Sequence, residues 1–229
     1  DHSSYLPALV RDGFRGQSIA TEATREWCEI LLRDSARLQE EEAEFANRHG
    51  YSKHAPALPL YTSEDAERAL SRFVAVDFDE DFELGDGLVG RFLPAGHLLG
   101  AAIVRVQRGH RSLVFSGDLG RPNDLVMQAP EQGESADTLI VESTYGDRNH
   151  ADDDPEAVLG RVIRETAARG GTILIPSFAV GRAQALLYAL YRLKERDEIP
   201  EIPVFLDSPM AIDATRLYRR FQHDHRLTP

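Results

Sequence analysis

The sequence is sparing with cysteine, lysine, methionine and tryptophan. A single cysteine, Cys28, among 229 residues rules out an internal disulfide and suits a cytoplasmic setting. Cys28 sits in Glu26-Trp27-Cys28-Glu29-Ile30-Leu31-Leu32, a helical pattern, and is expected to be a small buried hydrophobe rather than a catalytic thiol. Lysine occurs only as Lys53 and Lys194, so the cations are nearly all arginine, which suits bidentate phosphate recognition, with a biased genome or a salty or hot habitat as the plainer reading. No apolar run approaches the ~18 residues of a membrane span. The start, Asp-His-Ser-Ser-Tyr, has neither a basic segment nor an apolar one, so no signal peptide is visible. It also lacks Met, and the natural N-terminus is expected upstream. Positive charge is short as well. Lys and Arg number 26 against 38 Asp and Glu, for a net charge of −12. That argues against unspecific, whole-surface binding of nucleic acid but leaves room for a local basic groove.

What is present is ordinary for a globular protein: 42% hydrophobic and 28% charged residues, enough for one large domain or two small ones. Trp27, Ile30, Leu31 and Leu38 repeat at helical spacing and predict a helix over about 21–47, with Thr21 or Thr24 as cap. Its acidic second half reads as a solvated face. Residues 48–61 read as a loop, followed by a short helix over 64–72 capped by Thr62 or Ser63. Strand patterns follow at 73–78 and 88–93, as a hairpin at 101–107 and 112–115, and at 138–141. The rhythm then changes to helix 155–169, strand 172–176, helix 181–195, strand 203–206 and helix 211–222. Continuous apolar strands alternating with helices predict parallel α/β organisation, with a boundary near Gly146.

Three short elements place Asp or His beside glycine at a loop or strand end. They are Asp1-His2, Gly96-His97-Leu98-Leu99-Gly100, and Phe115-Ser116-Gly117-Asp118-Leu119-Gly120. Catalytic zinc takes imidazole and carboxylate ligands and keeps a position open. Two such ions about 3.5–4 Å apart can clamp both sides of a phosphoryl displacement. Alone, each element has a plainer reading: Gly-Asp-Leu-Gly as a turn, and a His after Gly as a solvated loop histidine. Their order and context favour metal.

In that order they resemble the metallo-β-lactamase superfamily, whose pattern runs His-x-His-x-Asp-His, then a His after a strand, then an Asp after the next hairpin strand. By that resemblance Asp1 and His2 hold one zinc, His97 belongs to the other, and Asp118 bridges both. Val141-Glu142-Ser143-Thr144-Tyr145-Gly146-Asp147-Arg148 is similar to the opening motif of the β-CASP branch. Ile175-Pro176-Ser177-Phe178-Ala179-Val180-Gly181-Arg182-Ala183-Gln184 and Leu206-Asp207-Ser208-Pro209-Met210-Ala211 are similar to its inserted domain. The likeness covers essentially the whole chain.

The resemblance implies a partial αββα metallo-β-lactamase sandwich over 1–146 and the first part of a β-CASP α/β domain over 147–229. It implies a two-zinc hydrolase that cleaves RNA phosphodiester bonds, as an endonuclease or an exonuclease, in RNA processing or decay. By the same resemblance Asp118 and Glu142 are expected to be the catalytic-site residues, and Asp1, His2, His97 and Asp118 the metal ligands. Ser177, Arg182 and Ser208, in strand-to-helix connections, are candidates to contact single-stranded RNA, since helix N-termini and Arg hold phosphate well. Their plainer role is helix capping or domain contact. No membrane is expected as partner; a homodimer or an RNA-processing complex is.

The chain departs from the family pattern. The His-x-His before Asp1 is absent, and so are two later β-CASP histidine motifs, of which His223 and His225 are not expected to be counterparts. Of seven protein ligands implied, Asp1, His2, His97 and Asp118 are present. The expectation is therefore an active parent and an inactive 229-residue piece. Two other readings stay open: a non-catalytic β-CASP RNA-binding subunit, and a small-molecule hydrolase of the same fold, against which residues 142–211 count.

Overall fold

The structure, a computed structural model, describes residues 2–132, 135–149 and 153–227. The chain divides into two compact units, residues 1–93 with 105–110, and residues 94–104 with 111–229.

The first unit opens with α1 (Leu6–Arg11) and β1 (Ser18–Ala20). Helix α2 (Glu22–His49) follows, its start fixed by the Thr21 hydroxyl, which accepts the Thr24 amide. It stops at Gly50, whose left-handed φ of 67° lets its amide reach back to the Ala46 carbonyl. Helix α3 (Ser63–Leu70) begins with a capping box: the Thr62 hydroxyl accepts the Asp65 amide, and the Asp65 carboxylate accepts the Thr62 amide. Ala8, Cys28, Leu32, Ala36, Tyr61 and Ala66 form the apolar core that these helices share. Cys28 is buried and free, as its helical setting predicts.

The strand expected over 73–78 is shorter. β2 covers Phe73–Ala75 and pairs in parallel with β1. Asp79, at φ 63°, ends the extended run. β3 (Asp81–Gly85) and β4 (Leu88–Pro94) pair antiparallel about the turn at Asp86-Gly87. β5 (Ala102–Arg108) contributes to both units, and with β6 (Arg111–Phe115) and β7 (Thr138–Ile140) the strand order is β3-β4-β5-β6-β7.

In the second unit, β6 (Arg111–Phe115) and β7 (Thr138–Ile140) pair in parallel, Phe115 opposite Ile140. Their C-terminal ends therefore lie at the same sheet edge. Three helices follow: α4 (Pro155–Ala168), α5 (Arg182–Glu195) and α6 (Pro209–Arg220). Ile163 of α4 and Leu190 and Leu193 of α5 form a shared apolar core with Ile199, which follows α5.

One expectation is corrected here. Residues 172–176 and 203–206 form no strand. A buried parallel strand needs a ladder partner and cover on both faces. Among the described residues neither segment has a strand partner, and Leu174 is 87% and Phe205 86% exposed. The chain is thus a mixed α/β structure in which, among the described residues, the strands lie before residue 141. Among the described residues no helix is long and apolar enough to cross a membrane.

Candidate metal and nucleic-acid site

Parallel pairing of β6 with β7 builds the site's frame. Past Phe115 the chain runs into Ser116-Gly117-Asp118, and past Ile140 into Val141-Glu142, both at the strands' carboxyl ends. Ligands favour this edge in α/β sheets. Ser116 is buried and links the two runs. Its amide donates to the Ile140 carbonyl at 2.9 Å, and its hydroxyl accepts the Glu142 amide at 3.0 Å. The Glu142 carboxylate then reaches across to accept the Leu119 amide at 2.9 Å and bends back to the Thr144 amide at 3.2 Å. These bonds from the Leu119 amide and from Thr144 hold its carboxyl below the usual glutamate range, against the pull of partial burial.

The loop after β4 supplies the histidine. The Ala95 amide donates to the Ala101 carbonyl and the Ala101 amide to the Leu98 carbonyl, which closes the loop on itself. Gly120 ties the aspartate loop to it, its amide donating to the Ala95 carbonyl at 2.8 Å. A Cβ on Gly120 would lie 1.8 Å from the Gly96 carbonyl oxygen, so glycine is required for the two backbones to meet. Gly117, at φ 55°, turns the chain just before Asp118.

The result is His97 Nε2 at 3.9 Å from Asp118 Oδ2, with the side chains 38% and 31% exposed. Imidazole and carboxylate are the donor types of a hydrolytic zinc, and neither is sealed from solvent, so the pair fits as part of a metal site. It is not a complete one. Among the described residues no group of three or more His, Cys, Asp or Glu converges. Asp1 lies outside the described residues. His2 belongs to the first unit, apart in sequence from the unit that holds His97, Asp118 and Glu142.

The nucleic-acid candidates are also in the second unit. Ser177 is exposed in the segment before α5. Arg182 is exposed at the first position of α5, after Gly181 at φ 74°. Gly181 packs close to Leu98: a Cβ there would meet Leu98 Cδ2 at 2.5 Å, which sets the start of α5 beside the His97 loop. The Ser208 hydroxyl accepts the Ala211 amide, so its visible role is the cap of α6.

Sequence reasoning gave no role to Ser116 or Gln184. Gln184 is buried, and its amide nitrogen donates to Thr215 Oγ1 and the Ala179 carbonyl, both at 3.1 Å, joining α5, α6 and the segment before α5. A glutamine on an otherwise apolar helix face was the available signal. His225 is buried: Nε2 donates to the Tyr218 carbonyl at 2.7 Å and Nδ1 accepts the Leu227 amide. Nearby, burial pushes the Tyr218 hydroxyl up to about 12.

Residues 183–229 match the Beta-Casp domain. Among curated proteins, the chain is 38% identical over 224 residues to Ribonuclease TTHA0252 of Thermus thermophilus, covering 96% of this chain and 47% of that protein. It is 31% identical over 227 residues to Endoribonuclease YSH1 of Gibberella zeae, covering 96% of this chain and 26% of the relative. It is 32% identical over 227 residues to Transcription termination factor FttA of Methanocaldococcus jannaschii, covering 96% of this chain and 33% of the relative. The chain thus spans less than half the length of these relatives. The matched domain, relatives aligned along nearly all of the chain, and the 141–148, 175–184 and 206–211 motifs agree, and the chain belongs to the β-CASP branch of the metallo-β-lactamase superfamily.

Proposed function

We propose that this chain is part of a zinc-dependent hydrolase that cleaves RNA phosphodiester bonds. The observation that carries the reading is the approach of His97 to Asp118 at 3.9 Å, with Glu142 locking the aspartate loop from the neighbouring strand. The names of two relatives, a ribonuclease and an endoribonuclease, support RNA as the substrate.

His97 and Asp118 would hold metal together with Asp1 and His2, two zinc ions in all. Such a metal supplies Lewis-acid stabilisation of phosphoryl oxygens and lowers the pKa of water. Glu142 keeps Asp118 in register by holding the Leu119 amide. Arg182 offers an exposed guanidinium beside the His97 loop, suited to a phosphate of single-stranded RNA. Ser177, exposed in the segment before α5, and Ser208, at the start of α6, are further candidates, Ser208 the weaker because its hydroxyl already caps α6. The division into a metallo-β-lactamase part over 1–146 and a β-CASP part over 147–229, a cytoplasmic setting, and assembly as a homodimer or within an RNA-processing complex belong to the same proposal. Catalytic zinc takes about three protein ligands and an open position. With four of the seven ligands that the family resemblance implies, Asp1, His2, His97 and Asp118, the 229-residue chain alone is proposed to be inactive and a longer polypeptide active.

The test is the zinc content and RNase activity of that longer polypeptide beside its Asp118→Ala variant. Bound zinc with RNA cleavage, both lost in the variant, supports the reading. A metal-free protein that binds RNA without cleaving it makes the chain part of a non-catalytic subunit.

A further inference from the structure

We propose that the C-terminal end of α2 and the loop after it form a second RNA contact surface, a basic and aromatic platform in the first unit. The inference rests on the RNA reading above and deepens it. The sequence carries 38 acidic residues in 229, yet none between Glu44 and Glu64. That acid-free stretch holds Arg48, Lys53, His49 and His54, all exposed.

The charges on this stretch differ from those elsewhere on the same helix. Arg25 pairs with Glu26, Arg33 with Glu67, and Arg37 with Asp34 and Glu41. Among the described residues Arg48 and Lys53 have no such partner. The acidic run that precedes them is partly committed, Glu41 to Arg37 and Glu40 to the Ser63 amide and hydroxyl. The helix dipole favours a cation at Arg48. It gives no reason for the aromatic rings at the same place.

Phe45 is 52% and Tyr51 57% exposed. The Phe45 ring lies 4.0 Å from the His49 ring and 6.0 Å from that of Tyr51, centroid to centroid. Flat faces next to unpaired cations are what a single strand uses, bases stacking on rings and phosphates meeting cations. The platform is also built. Asn47 fastens the loop to the helix through both ends of its amide: Oδ1 accepts the Ala57 amide at 2.7 Å, and Nδ2 donates to the Ala57 carbonyl at 2.9 Å. Gly50 closes the helix in the left-handed region. Charge complementarity selects a polyanion, and the rings select an unstacked strand over a duplex.

The experiment is fluorescence anisotropy of a short labelled single-stranded RNA of mixed sequence with the 229-residue chain, across a salt series. With both cations removed (Arg48→Ala with Lys53→Ala), the slope of log affinity on log salt should fall by about 1.4, since a single strand releases ~0.7 counterion per phosphate contact. Phe45→Ala and Tyr51→Ala should each weaken binding roughly tenfold, and Tyr51→Phe should not. Arg37→Ala, which removes a paired cation, should leave the slope unchanged. RNA binding that none of the patch variants alters overturns the platform and leaves the RNA reading standing. Absence of RNA binding by the chain overturns the platform, and the function itself is then judged by cleavage in the longer polypeptide. Loss of self-association in the ring variants, with RNA affinity unchanged, reassigns the surface to a second copy and also overturns it.

Discussion

Glu142 Oε1 accepts the Leu119 amide at 2.9 Å, so the residue after Asp118 is held by a side chain from the neighbouring strand run. The two residues meet because β6 and β7 are parallel and in register, and Ser116 fixes that register where the strands end. Glu142 thus holds the loop that carries Asp118, the proposed metal ligand, through the amide of the next residue.

Truncation of this clamp should loosen Asp118. Glu142→Ala strips the Leu119 and Thr144 amides of their acceptor and is expected to cost about 1–2 kcal/mol in a urea melt of this chain. In the longer polypeptide it should weaken zinc binding by roughly tenfold or more, as loss of outer support does at metal sites. Glu142→Gln keeps one acceptor oxygen and should fall between the two. Zinc affinity unchanged in Glu142→Ala would show that the aspartate loop holds its position without the clamp.

Much of this frame was legible in the sequence. The capped helices were, because hydroxyl residues before periodic apolar runs have a local cause: Thr21 and Thr62 stand where caps were expected. The His97 and Asp118 loops were visible as glycine-flanked donors, and the structure brings them together. The short strand Ser18–Ala20 escaped notice because three residues show no period, and its pairing with Phe73–Ala75 spans more than fifty positions. Residues 172–176 and 203–206 show the reverse error. Their β-rich composition is that of buried strands, but a ladder is a relation between segments, and composition does not supply the partner. Ser116 and Gln184 were missed because their roles lie in what they join.

The capping box of α3 should make stability depend on acid. Burial raises the Asp65 carboxyl, but the Thr62 amide and hydroxyl with the Arg68 guanidinium lower it further, to a net position below the ordinary 3.8. A lowered folded value means that the unfolded chain binds the proton more readily. The contribution is therefore complete above 3.8 and is lost as pH falls through the lowered folded value. Asp65→Asn, which keeps the shape but not the charge, should melt below the wild type near neutral pH, by about 1 kcal/mol in stability. Thermal melts of both proteins over a pH series check this. The gap should narrow in acid, and a gap that stays constant down to about pH 2 would mean that the charge of Asp65 does not matter, contrary to the usual benefit of a carboxylate in a first turn.

Gly120 offers a test of the site's geometry that removes no donor. Its backbone φ is not in the left-handed region, so conformational freedom is not why glycine stands there. Space is. An added methyl would overlap the Gly96 carbonyl, at 1.8 Å from its oxygen and 2.1 Å from its carbon, and would stand 2.7 Å from the His97 amide nitrogen. Backbone atoms cannot swing aside as a side-chain tip can, so Gly120→Ala must push the His97 and Asp118 loops apart and break the Gly120 to Ala95 hydrogen bond. The expected loss is about 3 kcal/mol in a urea melt, at the upper end of overpacking costs. Gly109→Ala is the control. It sits at a hairpin tip at φ 59° with no atom within 4 Å of the added Cβ, and should lose only the ~1 kcal/mol of a left-handed alanine. If the two variants lost equal stability, the close approach of the two loops would not be the reason for Gly120. If Gly120→Ala alone fell sharply, zinc affinity in the longer polypeptide should fall with it although every donor remains, because His97 and Asp118 are held 3.9 Å apart by that backbone contact.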